Sequence, residues 1–409
     1  MKKVLIFSLA YFPKHVGGAE VAIKEITDRI NPEDYEFHMV CLRFDSGLPR
    51  KEKIGKVLVH RIGFSAPSPT MADLKKFPLH LNKFLFQLLA PFYALWLNRK
   101  YKYDCLWAMM AHSCGVPAAI FKLFSPKTPY LLTLQEGDPI PEILVKVGPL
   151  MPLFKRAFTR ADMVQAISHY LAQWALDMGF GGPLEVIPNA VNVAHFSQDF
   201  SQESLGDLKK KLGKKPSDIF VITTSRLVRK NATDDVIRAI ALLPKKYHFF
   251  ILGTGPDEDM LKALVKSKGV ESRVHFLGQI EHSQMPKYLK VCDIFIRPSL
   301  SEGMGNSFIE AMAARLPVIA TQEGGIADFL FDPEKNPDKE PTGRAVNQRD
   351  PEGITKAIKL FAGDIEATGK IVSNAEKMVR EKYDWNLIAK NMKEKVFDKL
   401  LESTTQTKI

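Results

Sequence analysis

Short apolar runs recur along this chain, and each is followed by a stretch whose apolar residues return at helical spacing. The chain opens on "KKVLIFSLAYFPKHVGGAEVAIKEITDRI", in which Val4 to Leu9 reads as a strand, Gly17 and Gly18 as a loop, and the remainder as a helix. The same succession restarts at "DIFVITTSRLVRKNATDDVIRAIALLP", with a strand from Ile219 to Thr224. "YEFHMVCL", "YDCLWAMM", "PYLLTLQE" and "ADMVQAIS" add strands to the first series. "YHFFILGTG", "RVHFLGQI", "CDIFIRPS" and "LPVIATQEGG" add strands to the second. Strands that are apolar throughout, not merely at alternate positions, belong to parallel sheets covered on both faces. Two such series predict an α/β chain of two Rossmann-like, doubly wound domains. The first is placed at residues 1–195 and the second at 196–380, because apolar content falls in "VIPNAVNVAHFSQDFSQESLGDLKKKLGKKPSD". The tail, 381–409, contains "YDWNLIAKNMKEKVFDKLL" and reads as one amphipathic helix. The charged, proline-rich stretch from Phe331 to Gly343 reads as a solvated loop.

Composition narrows the class. With 409 residues, 45% apolar and 25% charged, the chain can build its cores without staples. Cys41, Cys105, Cys114 and Cys292 lie far apart with no CxxC pair, which suits free thiols in a reducing, cytoplasmic compartment. The opening "MKKVLIFSLAYF" imitates a signal peptide, but its apolar run is short and lacks a small-residue cleavage pattern, so a buried first strand is expected. A net charge of +11 suits nucleic acid, an anionic membrane or an anionic substrate equally. No RNA-recognition motif, zinc-finger spacing or basic arm favours nucleic acid, and the ten histidines form no HxH or HExxH, so no metal site is expected.

Ligands of doubly wound sheets bind beyond the carboxyl ends of the strands, where helix N-termini attract anions. Four such corners stand out. "HVGGAE" offers Gly17 and Gly18 for close backbone approach, or simply turns a strand into a helix. "SRLVRKN" offers Arg226, Arg229 and Lys230, and fixed cations there would stabilise a leaving diphosphate. "RPSLSEGMGNSFIEAMAARLPVIA" sets Glu302 and Glu310 on either side of a glycine-rich turn. Ser307 and Glu310 fit a helix capping box, while the two carboxylates could equally accept hydrogen bonds from a hydroxyl-rich ligand. "FLGQI", with "GTGP" before it, could present backbone edges to a flat base. Asp257, Glu258 and Asp259 imitate a metal-binding DxD, but acids in a first helical turn answer the dipole. His112 and His15, near strand ends, read as structural.

"PSLSEGMGNSFIEAMAARLPVIATQEGG" resembles the E-x7-E signature of the retaining glycosyltransferases of the GT-B fold, often called family 4 or group 1. "GGAE", "IPNAVNVAHF", "SRLVRKN", "GTGP" and "HFLGQI" match the same family in the same order, so the resemblance covers essentially the whole chain. It implies two Rossmann-like domains facing a central cleft, with the tail helix crossing back to the first. It further implies that Glu302 contacts the donor sugar and Glu310 the ribose of a UDP- or GDP-linked sugar. Gly305, Asn306 and Ser307 would hold the diphosphate or sugar, and Arg226 and Lys230 would neutralise the leaving group. Gln279, Ile280 and Glu281 would line the base pocket, and Gly17 and Gly18 would face the donor. No metal or other cofactor is implied. Two positions depart from the family. Asn231 stands where a lysine is usual, leaving Lys230, or Asn231 with Arg229, to take its part. Gln135 stands where many relatives have histidine; on the acceptor side Gln135 would position, with Glu136 or Asp138 as acid–base candidates.

The segment from Lys75 to Tyr103 mixes aromatics, leucines and lysines. It can pack as a helix on the first sheet with Pro91 bending it, or lie on an anionic membrane; one face can do each. The expected activity is therefore metal-independent, retaining sugar transfer to a glycan or lipid-linked acceptor of the cell envelope, with a peripheral hold on the inner membrane face and no nucleic-acid partner. A GT-B-like epimerase or phosphorylase, and a nucleic-acid-binding protein, are the rival readings.

Overall fold

The computed structural model describes residues 1–14, 16–70 and 73–406. His15 lies outside the described residues. Two compact units divide the chain after Asn189 and again after Asp384, so that the tail from Trp385 belongs with residues 1–189 and the second unit is Ala190–Asp384. The boundaries expected from the sequence, after residues 195 and 380, lie within six residues of these.

The first unit holds an eight-stranded sheet: β1 (Lys2–Phe7), β2 (Tyr35–Leu42), β3 (Lys51–Ile54), β4 (Val57–Ile62), β5 (Cys105–Met109), β6 (Tyr130–Leu134), β7 (Met163–Ala166) and β8 (Leu184–Val186). Their order is β3-β4-β2-β1-β5-β6-β7-β8. All neighbours are parallel except the β3–β4 hairpin. That hairpin was not expected. Its first strand is half exposed and reads Lys-Glu-Lys-Ile, a pattern that resembles a loop. Val4 to Phe7 are fully buried, as a central parallel strand requires. β1 ends before Leu9 because the chain turns at Ser8, whose hydroxyl donates to the Ala10 carbonyl. Helix α1 (Gly18–Arg29) follows β1, and α2 (Asn82–Tyr101) and α3 (Val116–Phe124) flank β5 in sequence.

The tail packs within this unit. Phe397 is buried against Trp107 at 5.2 Å between ring centroids, and the Tyr35 hydroxyl donates to Asp398. It is a continuous helical run whose middle, Met392–Asp398, widens to π-type turns.

The second unit holds β9 (Ile219–Thr224), β10 (Tyr247–Leu252), β11 (Val274–Gly278), β12 (Ile294–Arg297), β13 (Val318–Ala320) and β14 (Arg344–Ala345), in the order β11-β10-β9-β12-β13-β14, all parallel. Helices α4 (Thr233–Leu242), α5 (Glu258–Ser267) and α6 (Asn306–Ala313) follow β9, β10 and β12. Phe220, Phe249, Phe250 and Phe295 fill its layers. The Phe331–Gly343 segment is a loop but not a fully solvated one. Asp332 is buried and accepts the Glu334 and Ala345 amides at 2.8 Å. All four cysteines are buried and free.

Candidate functional site

In the second sheet the strand order reverses between β9 and β12. The loops leaving these two strands therefore splay to opposite faces and open a crevice at their carboxyl ends. The sequence places "SRLVRKN" on one loop and the two-glutamate turn on the other. A backbone bond from the Leu300 amide to the Lys230 carbonyl, 2.7 Å, ties them together.

The β9 loop is shaped by the glycines after β10. A Cβ on Gly253 would stand 2.0 Å from the Ser225 carbonyl oxygen, and one on Gly255 would stand 2.1 Å from that of Leu227. Only glycine allows the two loops to approach this closely. Leu227 is buried, so Arg226 and Arg229 stay exposed and Lys230 half-buried at the rim. Asn231 is buried, and its amide donates to the Arg226 carbonyl at 2.6 Å. It braces the loop and does not present its amide outward. The following Ala232 takes the left-handed conformation, φ +50°, which lets α4 start at once.

The β12 loop is organised by Arg297, the residue that ends the strand. Its guanidinium lies over the Phe308 ring, 4.2 Å from the centroid. It donates to Ser299 Oγ (3.1 Å), Ser307 Oγ (2.8 Å) and Glu302 Oε2 (2.5 Å). Burial works against its charge, and Glu302 and Glu310 work to keep it. The α6 start falls two residues earlier than a Ser307 cap would require. Gly305 is the N-cap, in the left-handed region with φ +86°, and a Cβ there would meet Arg297 Nη2 and the Phe308 ring at 2.6 Å. Ser307 is thus already inside the helix and accepts from Arg297, so the capping-box expectation is corrected. Asn306 and Ser307 form the first turn, whose backbone N–H groups have no partner within the helix.

Glu310, one turn further along α6, has its carboxylate 3.4 Å from His282 Nε2. His282 directly follows Gln279, Ile280 and Glu281 on the loop after β11, and its ring stacks on His195 at 5.5 Å. The structure thus brings Glu302, Glu310, Gly305, Asn306 and Ser307 together on one turn and helix. It sets Arg226 and Lys230 on the adjoining loop, and Gln279 to Glu281 on the loop whose histidine reaches Glu310. Arg297 and His282 were not singled out from the sequence. Arg297 is the first residue of the quoted stretch, and a charge closing an apolar strand was its signal. The Asp257–Asp259 acids sit at the start of α5, where Lys262 pairs with Glu258.

Gly17, Gly18, Gln135, Glu136 and Asp138 lie in the first unit. The Gly17 amide is already taken by Glu20 Oε2 (2.7 Å), whereas a Cβ on Gly18 would meet nothing within 4 Å. Gln135 exchanges amide hydrogen bonds with Asn189 at 3.1 and 3.2 Å. The Glu136 side chain is fully buried and accepts the amides of Ala111 (2.6 Å), His112 (3.3 Å) and Gln135 (3.0 Å), with His112 Nδ1 at 3.4 Å. Saturated in this way, it organises the loop after β5 and does not face solvent; the partly exposed ring is that of His112. Just before it, Met110 holds φ +68°, a strained conformation for a side chain of its size.

Residues 206–378 match the family model described as glycosyl transferases group 1, and residues 16–195 match glycosyltransferase family 4. The chain is 32% identical to a Bacillus subtilis glycosyltransferase whose name links it to teichuronic acid biosynthesis, over 56% of this chain and 55% of that protein. It is 28% identical to the alpha-monoglucosyldiacylglycerol synthase of Acholeplasma laidlawii, over 48% of each. The matched region thus spans about half the length of these curated relatives. Among solved structures, a sucrose-phosphate synthase from Thermosynechococcus elongatus superposes with a TM-score of 0.79, at 18% identity, over 98% of this chain and 100% of that one. Anabaena HepE in complex with UDP-glucose superposes with a TM-score of 0.74, at 20% identity, over 97% and 100%. With both halves matched and the two doubly wound sheets in common, this chain belongs to the group 1, or family 4, glycosyltransferases of the GT-B fold.

Proposed function

We propose that the protein is a metal-independent, retaining glycosyltransferase. It moves a hexose or related sugar from a UDP- or GDP-linked donor to a glycan or lipid-linked acceptor of the cell envelope. The observation that carries this reading is the corner at the β9–β12 reversal. There, a carboxylate oriented by a buried arginine, an open helix N-terminus and a loop bearing Arg226 and Lys230 converge. Glu302 uses one oxygen on Arg297 and keeps acceptor capacity for sugar hydroxyls. Glu310 accepts from the ribose, with His282 beside it, and Gln279 to Glu281 border the base. The diphosphate lies over the Gly305–Ser307 turn, where the N–H groups and helix dipole favour negative charge.

In the transfer, the bond from the anomeric carbon to the diphosphate oxygen breaks and one to the acceptor oxygen forms on the same face. The acceptor proton leaves with the nucleoside diphosphate. Charge grows on the leaving group as its bond breaks, and Arg226 and Lys230 supply the stabilisation a metal would otherwise give. On the acceptor side, Gln135 positions, Glu136 fixes the loop that carries His112, and Asp138 remains a candidate proton carrier. Relatives named for glycolipid synthesis support an envelope acceptor. No helix among the described residues is long and apolar enough to cross a membrane, and a peripheral place on the inner face is part of the proposal.

The test is thermal stabilisation against nucleoside diphosphates and nucleotide sugars, wild type beside Glu310→Ala. Saturating ligand at a hundred times its Kd stabilises by about 2.7 kcal/mol. A shift with one nucleotide, lost in the variant, supports the reading and names the base. Stabilisation by nucleic acid alone would overturn it.

A further inference from the structure

We propose that the outer face of α2, together with the end of α3, is a docking surface for an anionic lipid bilayer. The inner face of α2 is ordinary: Phe86, Ala90, Pro91, Ala94 and Leu97 are buried. Its outer face is not. Phe84, Leu88, Phe92 and Trp96 recur at every fourth position and are 63%, 46%, 55% and 53% exposed. Leu89 stands beside them, half exposed. At the end of α3 the exposed Phe124 sets its ring 5.8 Å from that of Phe92. Phe77, just ahead of α2, is also exposed. A helix that met only water on this side would carry polar residues there. A contiguous patch of this kind marks an interaction surface.

The charges select the occupant. From Leu74 to Tyr103 the sequence contains no aspartate or glutamate, while Lys75, Lys76, Lys83, Arg99, Lys100 and Lys102 are all exposed. Among the described residues, Lys75, Lys83, Arg99 and Lys102 pair with no carboxylate. The cations stand at both ends of α2 and the aromatics lie between them. A helix lying in the bilayer interface has this arrangement, with its apolar stripe at the acyl boundary and its cations among anionic headgroups. A second copy fits poorly, because a two-fold contact would set this cationic frame against itself. The surface deepens the lipid-linked reading of the acceptor and takes its purpose from that reading, but its test does not depend on it.

Trp96 provides the readout. Trp107, Trp174 and Trp385 are 0%, 3% and 3% exposed, so a change in tryptophan emission on adding vesicles reports Trp96. The probe is equimolar phosphatidylglycerol–phosphatidylcholine vesicles, with no donor or acceptor present. The expected results are a blue shift and protection from acrylamide quenching, both absent in Trp96→Phe. Vesicle partitioning should fall about tenfold or more in the double variant Leu88→Ser/Phe92→Ser, and about tenfold or more in Lys83→Glu/Arg99→Glu. No blue shift in the wild type would overturn the proposal, and that measurement stands even if a variant fails to fold. Equal partitioning of wild type and a folded Leu88→Ser/Phe92→Ser would overturn it too. So would a wild-type dimer that this variant dissolves, without vesicle binding. Vesicle binding without any nucleotide-dependent stabilisation would uphold the surface and sink the transferase reading, and the opposite pattern would do the reverse.

Discussion

Glu136 and Glu302 each follow a parallel strand of a doubly wound sheet, yet they are held in opposite ways. Glu136 has no exposed side-chain surface, and its donors are three backbone amides and a histidine on its own and the neighbouring loop. Glu302 keeps 13% of its side chain open and is gripped by one side chain, Arg297. A carboxylate spent on backbone amides fixes the path of a loop. A carboxylate held on one side by a cation is aimed, and its free lone pairs remain for something that arrives. The same residue type thus fixes shape in one sheet and, in the proposed function, recognises the ligand in the other.

The comparison breaks most severely if Arg297 is removed. Arg297→Ala leaves Glu302 poorly solvated and unpaired, and should cost about 3–5 kcal/mol of stability, read by urea unfolding. Arg297→Lys should recover part of that stability but not the aim of Glu302, because an ammonium cannot form the fork. Next comes the exchange of functions. Glu302→Gln keeps an acceptor oxygen toward Arg297 but removes its counter-charge, so it should cost some stability, less than Arg297→Ala. It should yet lower kcat by about a hundredfold or more in a sugar-transfer assay, the usual effect of losing one aimed polar group. Glu136→Gln should do the converse. It turns a donor toward backbone donors and should cost about 1–3 kcal/mol in chemical denaturation, with activity falling only as far as the loop shifts. If the two glutamine variants gave the same profile, the distinction drawn here would fail.

The smallest effect asks whether the first unit's rigidity comes from burial alone. His60 is buried in it, and burial, with the neighbouring His38, Lys51 and Lys100, pushes its pKa down from 6.5 to about 4. The unfolded chain therefore binds a proton that the folded one refuses. The stability this neutral ring contributes is complete above pH 6.5 and is lost as pH falls toward 4. His60→Phe should flatten that window by roughly 1–2 kcal/mol in denaturation curves taken at pH 7 and pH 4.5.

Much of this fold could be read from period alone. The central run Val4–Phe7 of β1 and the strand Cys105–Met109 are unbroken apolar runs, and burial on both faces leaves no other pattern. The β3–β4 hairpin escaped because its edge strand β3 exposes alternate residues and carries Lys51 and Lys53 there. In the site, Glu302 and Glu310 were legible by their spacing around glycine. Arg297 was not, because its effect depends on Phe308, Ser299 and Ser307 closing around it, and such closure has no linear signature. Asn231 read as a possible stand-in for a lysine. Only the path of the loop shows its amide turned back on Arg226. Ser307 and Glu310 obeyed a real rule at the wrong residue, since the left-handed Gly305 starts the helix one position sooner.

The bond from Leu300 to Lys230 joins the two loops through main chain rather than side chain, so no substitution at either residue deletes its donor except Leu300→Pro. It makes a single amide proton a gauge of the whole crevice. Selectively labelled leucine would give that amide its own resonance, and its rate of exchange with deuterium would report how often the cationic loop and the two-glutamate turn come apart. A ligand touching either loop should slow that one proton, and an empty crevice should let it go.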